Sequence, residues 1–386
     1  MYGAILGLMY IYASLKGMRY IFHLLLLFLS FQLTTAQQNE LHFHSFEVDN
    51  FYGTILEHNP DISHLITGHP SGVFFSYNKK TYGFNEWERR YNHPDWGFTF
   101  IYQDMANPYL GVNYSFYGHF NWYMLDRNLS VRMAQGIAIA SNPYDPETNF
   151  QNNAYGSRIL SSTFLKVNYV KENLYKGIGF QAGFGIIHYS NANFKAPNNS
   201  TNTLYFNAGL SYQFDPQSFP HRIPLESWPS KYYAERIKLN FVFRTGVNEA
   251  DVNGLGQFPF YTLSLYADKR INYKSTFQAG IEVFFSEFLI ELIRYRSIAF
   301  PGDGLTGDEN YRRVGVFVGH ELRFNRTAFV SQLGYYTYWP YEFENRIYNR
   351  LGLKRYFYKD RFFGAVTLKA HWAKAEAVEF GVGIRL

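Results

Sequence analysis

From about residue 40 to its last residue the chain is built of short segments in which apolar and polar side chains alternate. Val378, Phe380, Val382, Ile384 and Leu386 face one way, against Glu379, Gly381, Gly383 and Arg385 on the other side. Leu204, Phe206, Ala208, Leu210, Tyr212 and Phe214 repeat the pattern, as do Ile237, Leu239, Phe241 and Phe243, where Val242 alone breaks the polar side. A period of two belongs to strands with one oily and one polar face. After Gln37 no apolar run reaches the ~18 residues that a membrane helix needs.

Soluble sandwiches alternate too, so composition has to choose. Phe (38), Tyr (34) and Gly (31) are abundant together, while only 17% of residues are charged. Such a balance suits many strands bearing aromatic girdles, with small residues where segments crowd. There is no cysteine, which excludes a disulfide-stapled fold, and the aromatic content excludes a disordered chain. A net charge of +5 is too mild for a nucleic-acid binder.

The N-terminus indicates export. Arg19 precedes the apolar run from Ile21 to Leu33, and Thr34-Thr35-Ala36 then offers small residues before Gln37. These features read as a secretory signal peptide over residues 1–36, with Met18 as an alternative start and a retained anchor as the competing reading. In lipid a sheet must close on itself. The expected fold is therefore all-β, an antiparallel transmembrane β-barrel over residues 37–386 of about 12–16 strands, preferably even in number. Candidate strands run from 42–57 to 376–386. Within Asp215–Glu235, Pro216, Pro220, Pro224 and Pro229 make a helix improbable and suggest an internal boundary, whereas Ser286–Arg294 suits a short amphipathic helix.

One stretch carries candidate chemistry. His188 and Ser190 lie two residues apart, so on a strand they share a face at roughly 7 Å, within reach of a base–nucleophile pair. That face is the oily one, shared with Phe180, Ala182, Phe184 and Ile186. A polar pair exposed there is a poor choice for stability, and suits a substrate that is itself a lipid. On the next strand Asn202 shares the side of Leu204 and Phe206. As a hairpin neighbour it could orient the His188 ring.

The segment His188-Tyr-Ser190-Asn191-Ala-Asn193, followed by Pro197-Asn198, resembles the active-site segment of the PagL-type lipid A 3-O-deacylases. These are outer-membrane β-barrel hydrolases of the wider acyloxyacyl hydrolase-like family. The close resemblance spans about residues 130–215. Tyr144-Asp145, Asn149, Asn152, Asn153, Gly156-Ser157 and the closing Leu368–His371 and Glu379–Gly383 are similar to longer members.

The resemblance implies Ser190 as nucleophile, His188 as general base, and the backbone around Asn191 and Asn193 as oxyanion hole. The family's third member, a glutamate twelve residues after the serine, falls on Asn202, and its glycine falls on Asn193. The substrate it implies is lipid A or lipopolysaccharide among outer-membrane lipids, with no cofactor, no metal and no nucleic acid, and with room for a homodimer. Lys195 reads as an interfacial lysine, with a lipid-phosphate contact the less favoured alternative. A barrel without chemistry (a pore, transport component or surface protein) is the main competing reading, and a soluble lectin-like β-protein a weaker one.

Other constellations fare worse. His42, His44, His64 and His69 invite metal, but no H-E-x-x-H spacing or cysteine accompanies them. Glu86 and Glu88 would share a face on an extended segment, as a glycosidase pair does, although the nearby arginines favour a charged loop. His320, Glu321 and His371 are expected on barrel walls.

Overall fold

The computed structural model describes residues 43–214, 220–225 and 235–386. The signal-peptide reading, His42, Pro216 and Pro229 lie outside them. The expected strands form, sixteen among the described residues, and they close as two rings of eight. The first ring contains β1 (His44–Ile55), β2 (Ser71–Lys79), β3 (Asp95–Asp104), β4 (Val112–Met124), β5 (Leu129–Ala140), β6 (Ile159–Tyr175), β7 (Ile178–Ser190) and β8 (Thr201–Gln213). Antiparallel pairing of β1 with β8, Ser45 opposite Gln213 through Ile55 opposite Thr203, closes it.

The second ring contains β9 (Lys238–Glu249), β10 (Gln257–Arg270), β11 (Ser275–Ser286), β12 (Arg313–Phe324), β13 (Thr327–Tyr338), β14 (Ile347–Phe357), β15 (Phe362–His371) and β16 (Lys374–Arg385). It closes where β16 pairs with β9. The boundary between the rings falls at the proline-rich stretch between β8 and β9. Closure of each ring leaves no unpaired sheet edge, which a lipid environment requires.

Each ring is oily outside, and inside it mixes buried ion pairs with apolar side chains such as Phe51, Phe74 and Phe164 in the first ring and Phe284, Phe317 and Phe363 in the second. Phe98, Phe116, Ile137, Phe184 and Phe206 are exposed on the first wall, and Phe241, Leu263, Val318, Leu353 and Val382 on the second. Inside the first ring Arg132 pairs with Glu47 at 2.7 Å and Lys166 with Asp49 at 2.8 Å, all four buried. Inside the second, Arg350 bridges Glu282 at 2.8 Å and Glu379 at 2.5 Å, and Lys354 meets Glu321 at 2.7 Å. Eight strands leave an interior just wide enough for side chains to fill. The inward side of each strand, polar and apolar residues together, supplies that filling.

The two rims differ. Residues 125–128, 176–177, 271–274, 325–326 and 358–361 make short turns at one rim, where β1 begins and β16 ends. The opposite rim carries the longer connections 56–70, 141–158, 191–200 and 287–312. Two connections depart from this division: 80–94 on the short-turn rim and 372–373 on the long-loop rim. The expected amphipathic helix is present in the last long loop as α2 (Phe288–Ala299), which continues past Arg294. Its predicted stripe of Phe288, Leu289, Leu292 and Ile293 is buried beside Ala250 and Tyr341. The rings touch at both rims. At the short-turn rim the Tyr91 hydroxyl donates to Arg323 O at 2.8 Å and its ring packs on Phe324 at 4.5 Å.

The segment around Glu86 and Glu88 is a short helix, α1 (Glu86–Arg90), rather than an extended loop. Residues two apart on a helix do not share a face, so the glycosidase geometry is lost. Glu86 pairs with Arg90 at 2.9 Å, one turn on, and Glu88 accepts from Gly83 N at 2.9 Å and from Asn85.

Candidate active site

The site stands at the long-loop rim, where β7 and β8 end and begin. His188 lies directly opposite Asn202 in the antiparallel register, so the two side chains leave the sheet as neighbours. His188 Nδ1 and Asn202 Oδ1 are 2.8 Å apart. With the amide oxygen as acceptor, Nδ1 carries the proton and Nε2 the lone pair. Both residues are half-buried and continue the outward face that exposes Phe180, Phe184, Leu204 and Phe206. On the inward face, Gly185 leaves room for the Tyr205 ring. A Cβ there would come within 2.4 Å of the Tyr205 hydroxyl.

Ser190 is the last residue of β7 and is buried under the loop that follows. No hydrogen bond joins it to His188 among the described residues. Instead Ser190 Oγ donates to Asn198 Oδ1 at 3.0 Å and accepts from Ala192 N at 2.9 Å. The same Asn198 oxygen accepts from Asn191 N at 2.8 Å. The Asn191 N–H, one of the two expected oxyanion donors, is thus engaged within the loop. Among the described residues no hydrogen bond engages the Asn193 N–H.

Ala192 and Asn193 have φ of 54° and 58°, in the left-handed region. Glycine adopts it freely and asparagine is the next best choice, which accounts for Asn193 at the position the resemblance gives to glycine. Lys195 is exposed, and its carbonyl accepts from the Asn191 side chain at 2.5 Å.

The loop 191–200 is held from several sides. From the β5–β6 connection, Gly156 N donates to Pro197 O at 2.7 Å, and the carbonyls of Asn153 and Ala154 accept from Asn199 N and Ser200 N. Asn152 braces that connection by accepting from Ala154 N and Tyr155 N, both at 3.1 Å, and donating to Asn142 O at 2.6 Å. Nearby, the N–H groups of Thr148 and Glu147 and the Thr148 hydroxyl hold the Asp145 carboxyl below its usual range. His58, from the β1–β2 connection, reaches Ser200 Oγ at 3.2 Å.

Gly156 permits this close approach, since a Cβ on it would lie 2.4 Å from both Lys195 O and Ala196 O. Backbone would have to move. Gly156→Ala is therefore expected to lower activity on the order of tenfold or more, as displaced reacting groups do, while both barrels still form. Steady-state rates alongside heat-modifiable gel mobility check this.

The remaining candidates are dispersed. His64 contacts Gln151 O at 2.8 Å, His69 Gly53 O at 3.2 Å, and His44 the Tyr77 hydroxyl at 2.6 Å. No group of three or more metal-ligating side chains occurs among the described residues. His320 faces outward beside Phe277, Glu321 points inward to Lys354, and His371 is buried near Tyr336.

The family model for lipid A 3-O-deacylase (PagL) matches residues 71–211, the first ring from β2 to β8. A second, for the acyloxyacyl hydrolase C-terminal domain, matches residues 237–386, the whole second ring. Together they cover most of the chain. The chain belongs to the PagL lipid A deacylase family. Membership makes it, at family level, a hydrolase acting on lipid A, and the two family matches divide where the two rings do.

Comparison with curated protein sequences finds no match. Among solved structures, a mutant of the Rh. blastica porin aligns at 8% identity over 90% of this chain and 100% of the porin, with a TM-score of 0.19. A second mutant of that porin aligns at 9% identity over the same shares, with a TM-score of 0.18. Scores of this size carry no argument beside the PagL matches.

Two features escaped sequence reasoning. Asn198 was visible only as part of a motif, and its hold on Ser190 comes from the loop's fold. Glu249 and Ala375, from the second ring, also reach the 191–200 loop, and nothing near them in sequence signals it.

Proposed function

We propose that the chain is an outer-membrane acyl-ester hydrolase that removes a fatty acyl chain from lipid A by a serine–histidine mechanism. The observation that carries this reading is the His188–Asn202 hydrogen bond on the lipid-facing wall, two residues from Ser190. Ser190 Oγ attacks the ester carbonyl carbon as His188 Nε2 takes its proton. Asn202 orients the ring in the tautomer this needs. The free Asn193 N–H is the donor for the developing oxyanion, an interaction commonly worth about 3 kcal/mol. His188 then returns the proton to the departing sugar oxygen, and water, activated by the same imidazole, releases the fatty acid from Ser190.

In the resting arrangement the Ser190 hydroxyl points to Asn198, so the proton path to His188 opens by rotation about the serine side-chain bond. Catalytic hydrogen bonds commonly tighten only once substrate is bound.

The asymmetry of the rims supports an orientation. Outer-membrane barrels keep short turns on the periplasmic side and long loops outside. In the proposed orientation Ser190 faces the outer leaflet of a Gram-negative outer membrane, with residues 1–36 read as the export signal. Interiors crossed by buried ion pairs argue against a pore.

The weakest member of the triad supplies the test. Asn202→Glu gives His188 Nδ1 a carboxylate partner, which stabilises the imidazolium formed on proton transfer. It is expected to raise kcat by roughly tenfold, read as acyl release from purified lipid A. An Asn202→Glu protein no faster than the parent would contradict the role given to this position.

A further inference from the structure

Asn193 stands where the resemblance places a glycine, yet its side chain is engaged at both ends. Its Nδ2 donates to Ala375 O, at the start of β16 in the second ring, at 2.9 Å. Its Oδ1 accepts from Asn198 Nδ2 at 2.9 Å. A backbone carbonyl can only accept, so Ala375 fixes which end of the Asn193 amide faces it. That in turn fixes the Asn198 amide, whose oxygen is left to receive Ser190 Oγ and Asn191 N. A chain of oriented amides thus runs from the second ring to the nucleophile.

Glu249, the last residue of β9 and buried, holds the same loop a second way. Its N–H donates to Asn193 O at 2.9 Å, and its Oε2 accepts from Ala196 N at 3.1 Å. Its other oxygen accepts from Gly256 N at 3.3 Å, tying the carboxylate to its own ring. Gln257 adds a side-chain hydrogen bond to Phe194 O at 2.5 Å.

We infer that the second ring is a positioning element for the site on the first, with Asn193 and Glu249 as the positioning residues. Neither touches the reacting atoms through its side chain. Asn193 is held from the second ring at its carbonyl by the Glu249 N–H and at its side-chain amide by Ala375 O, which fixes the residue whose backbone N–H is the proposed oxyanion donor. The inference rests on the hydrolase reading above and assigns the second ring a part in the same reaction.

Asn193→Gly separates the bridge from the backbone. Glycine takes a φ of 58° more easily than asparagine, so backbone strain cannot explain a loss. With the full-length protein in detergent micelles and lipid A as substrate, Asn193→Gly and Glu249→Ala should each lower kcat on the order of tenfold, with KM nearly unchanged. Glu249→Gln should recover part of the loss, because its amide oxygen can still accept from Ala196 N. Amide hydrogen exchange in residues 191–198 should quicken in Asn193→Gly and Glu249→Ala, a readout independent of turnover. Heat-modifiable mobility shows that the barrels have formed.

Parental kcat and parental exchange in Asn193→Gly and Glu249→Ala, beside an active parent, would overturn this inference alone. A loss confined to KM would overturn it as well. A parent that leaves lipid A intact would overturn the hydrolase reading and this inference with it.

Discussion

His188→Ala is expected to slow acyl release from lipid A on the order of a thousandfold while the barrels form normally. General-base assistance in a serine hydrolase commonly contributes between 10² and 10⁴, and no other imidazole takes this position. His58 is the nearest alternative, and it is committed to Asn199 O at 3.1 Å and Ser200 Oγ at 3.2 Å. His188 contributes little to the fold, being half-buried on the outer wall with Asn202 as its side-chain partner. The loss should therefore appear in kcat, with heat-modifiable mobility unchanged. A variant retaining a tenth or more of the parental rate would show that another group takes the serine proton.

The largest effect on stability is expected at Arg350, in the middle of the second ring. Its guanidinium is fully buried and binds Glu282 through both carboxylate oxygens, at 2.8 and 2.9 Å. It also grips Glu379 at 2.5 and 3.1 Å and Gln332 at 2.7 Å. Arg350→Met removes the cation and leaves two buried carboxylates. Arg244, 3.1 Å from Glu282 and 4.0 Å from Glu379, then remains as their nearest cation. Breaking one side of a buried ion pair typically costs about 3–5 kcal/mol. Urea unfolding in micelles should show that loss in the second ring. Adding Glu379→Gln to Arg350→Met should recover part of it, since one uncompensated charge disappears. An unchanged unfolding midpoint would mean that water or rearrangement compensates the carboxylates.

The strands were legible because period-two alternation is local. Each inward Glu, Arg or Asn and each outward Phe or Leu is dictated by its immediate neighbours in sequence. How the strands close was not, because closure joins distant segments: β1 meets β8, and β9 meets β16. Alternation is the same for one ring of sixteen strands as for two of eight. Only the prolines between β8 and β9 hinted at the division.

The site divides along the same line. His188 and Asn202 could be paired from sequence because they face each other across one hairpin. The hold of Asn198 on Ser190 depends on a loop with two consecutive left-handed residues, a conformation that alternation does not encode. The reach of Glu249 and Ala375 into that loop depends on how two separately closed rings meet. At Glu86 the favoured pairing with a nearby arginine forms, but on a helical turn in place of the expected charged loop, for a local reason. The Glu86–Arg90 spacing, which a helical turn satisfies, won over the extended reading.

Cleavage of a lipid A acyl ester by Ser190 can be read from the mass of lipid A itself after incubation with the purified full-length protein and with its Ser190→Ala form. The parent is expected to release one fatty acyl chain, and Ser190→Ala to leave the lipid at its starting mass. Equal loss of acyl chain with both proteins, or none with the parent, would contradict cleavage by Ser190.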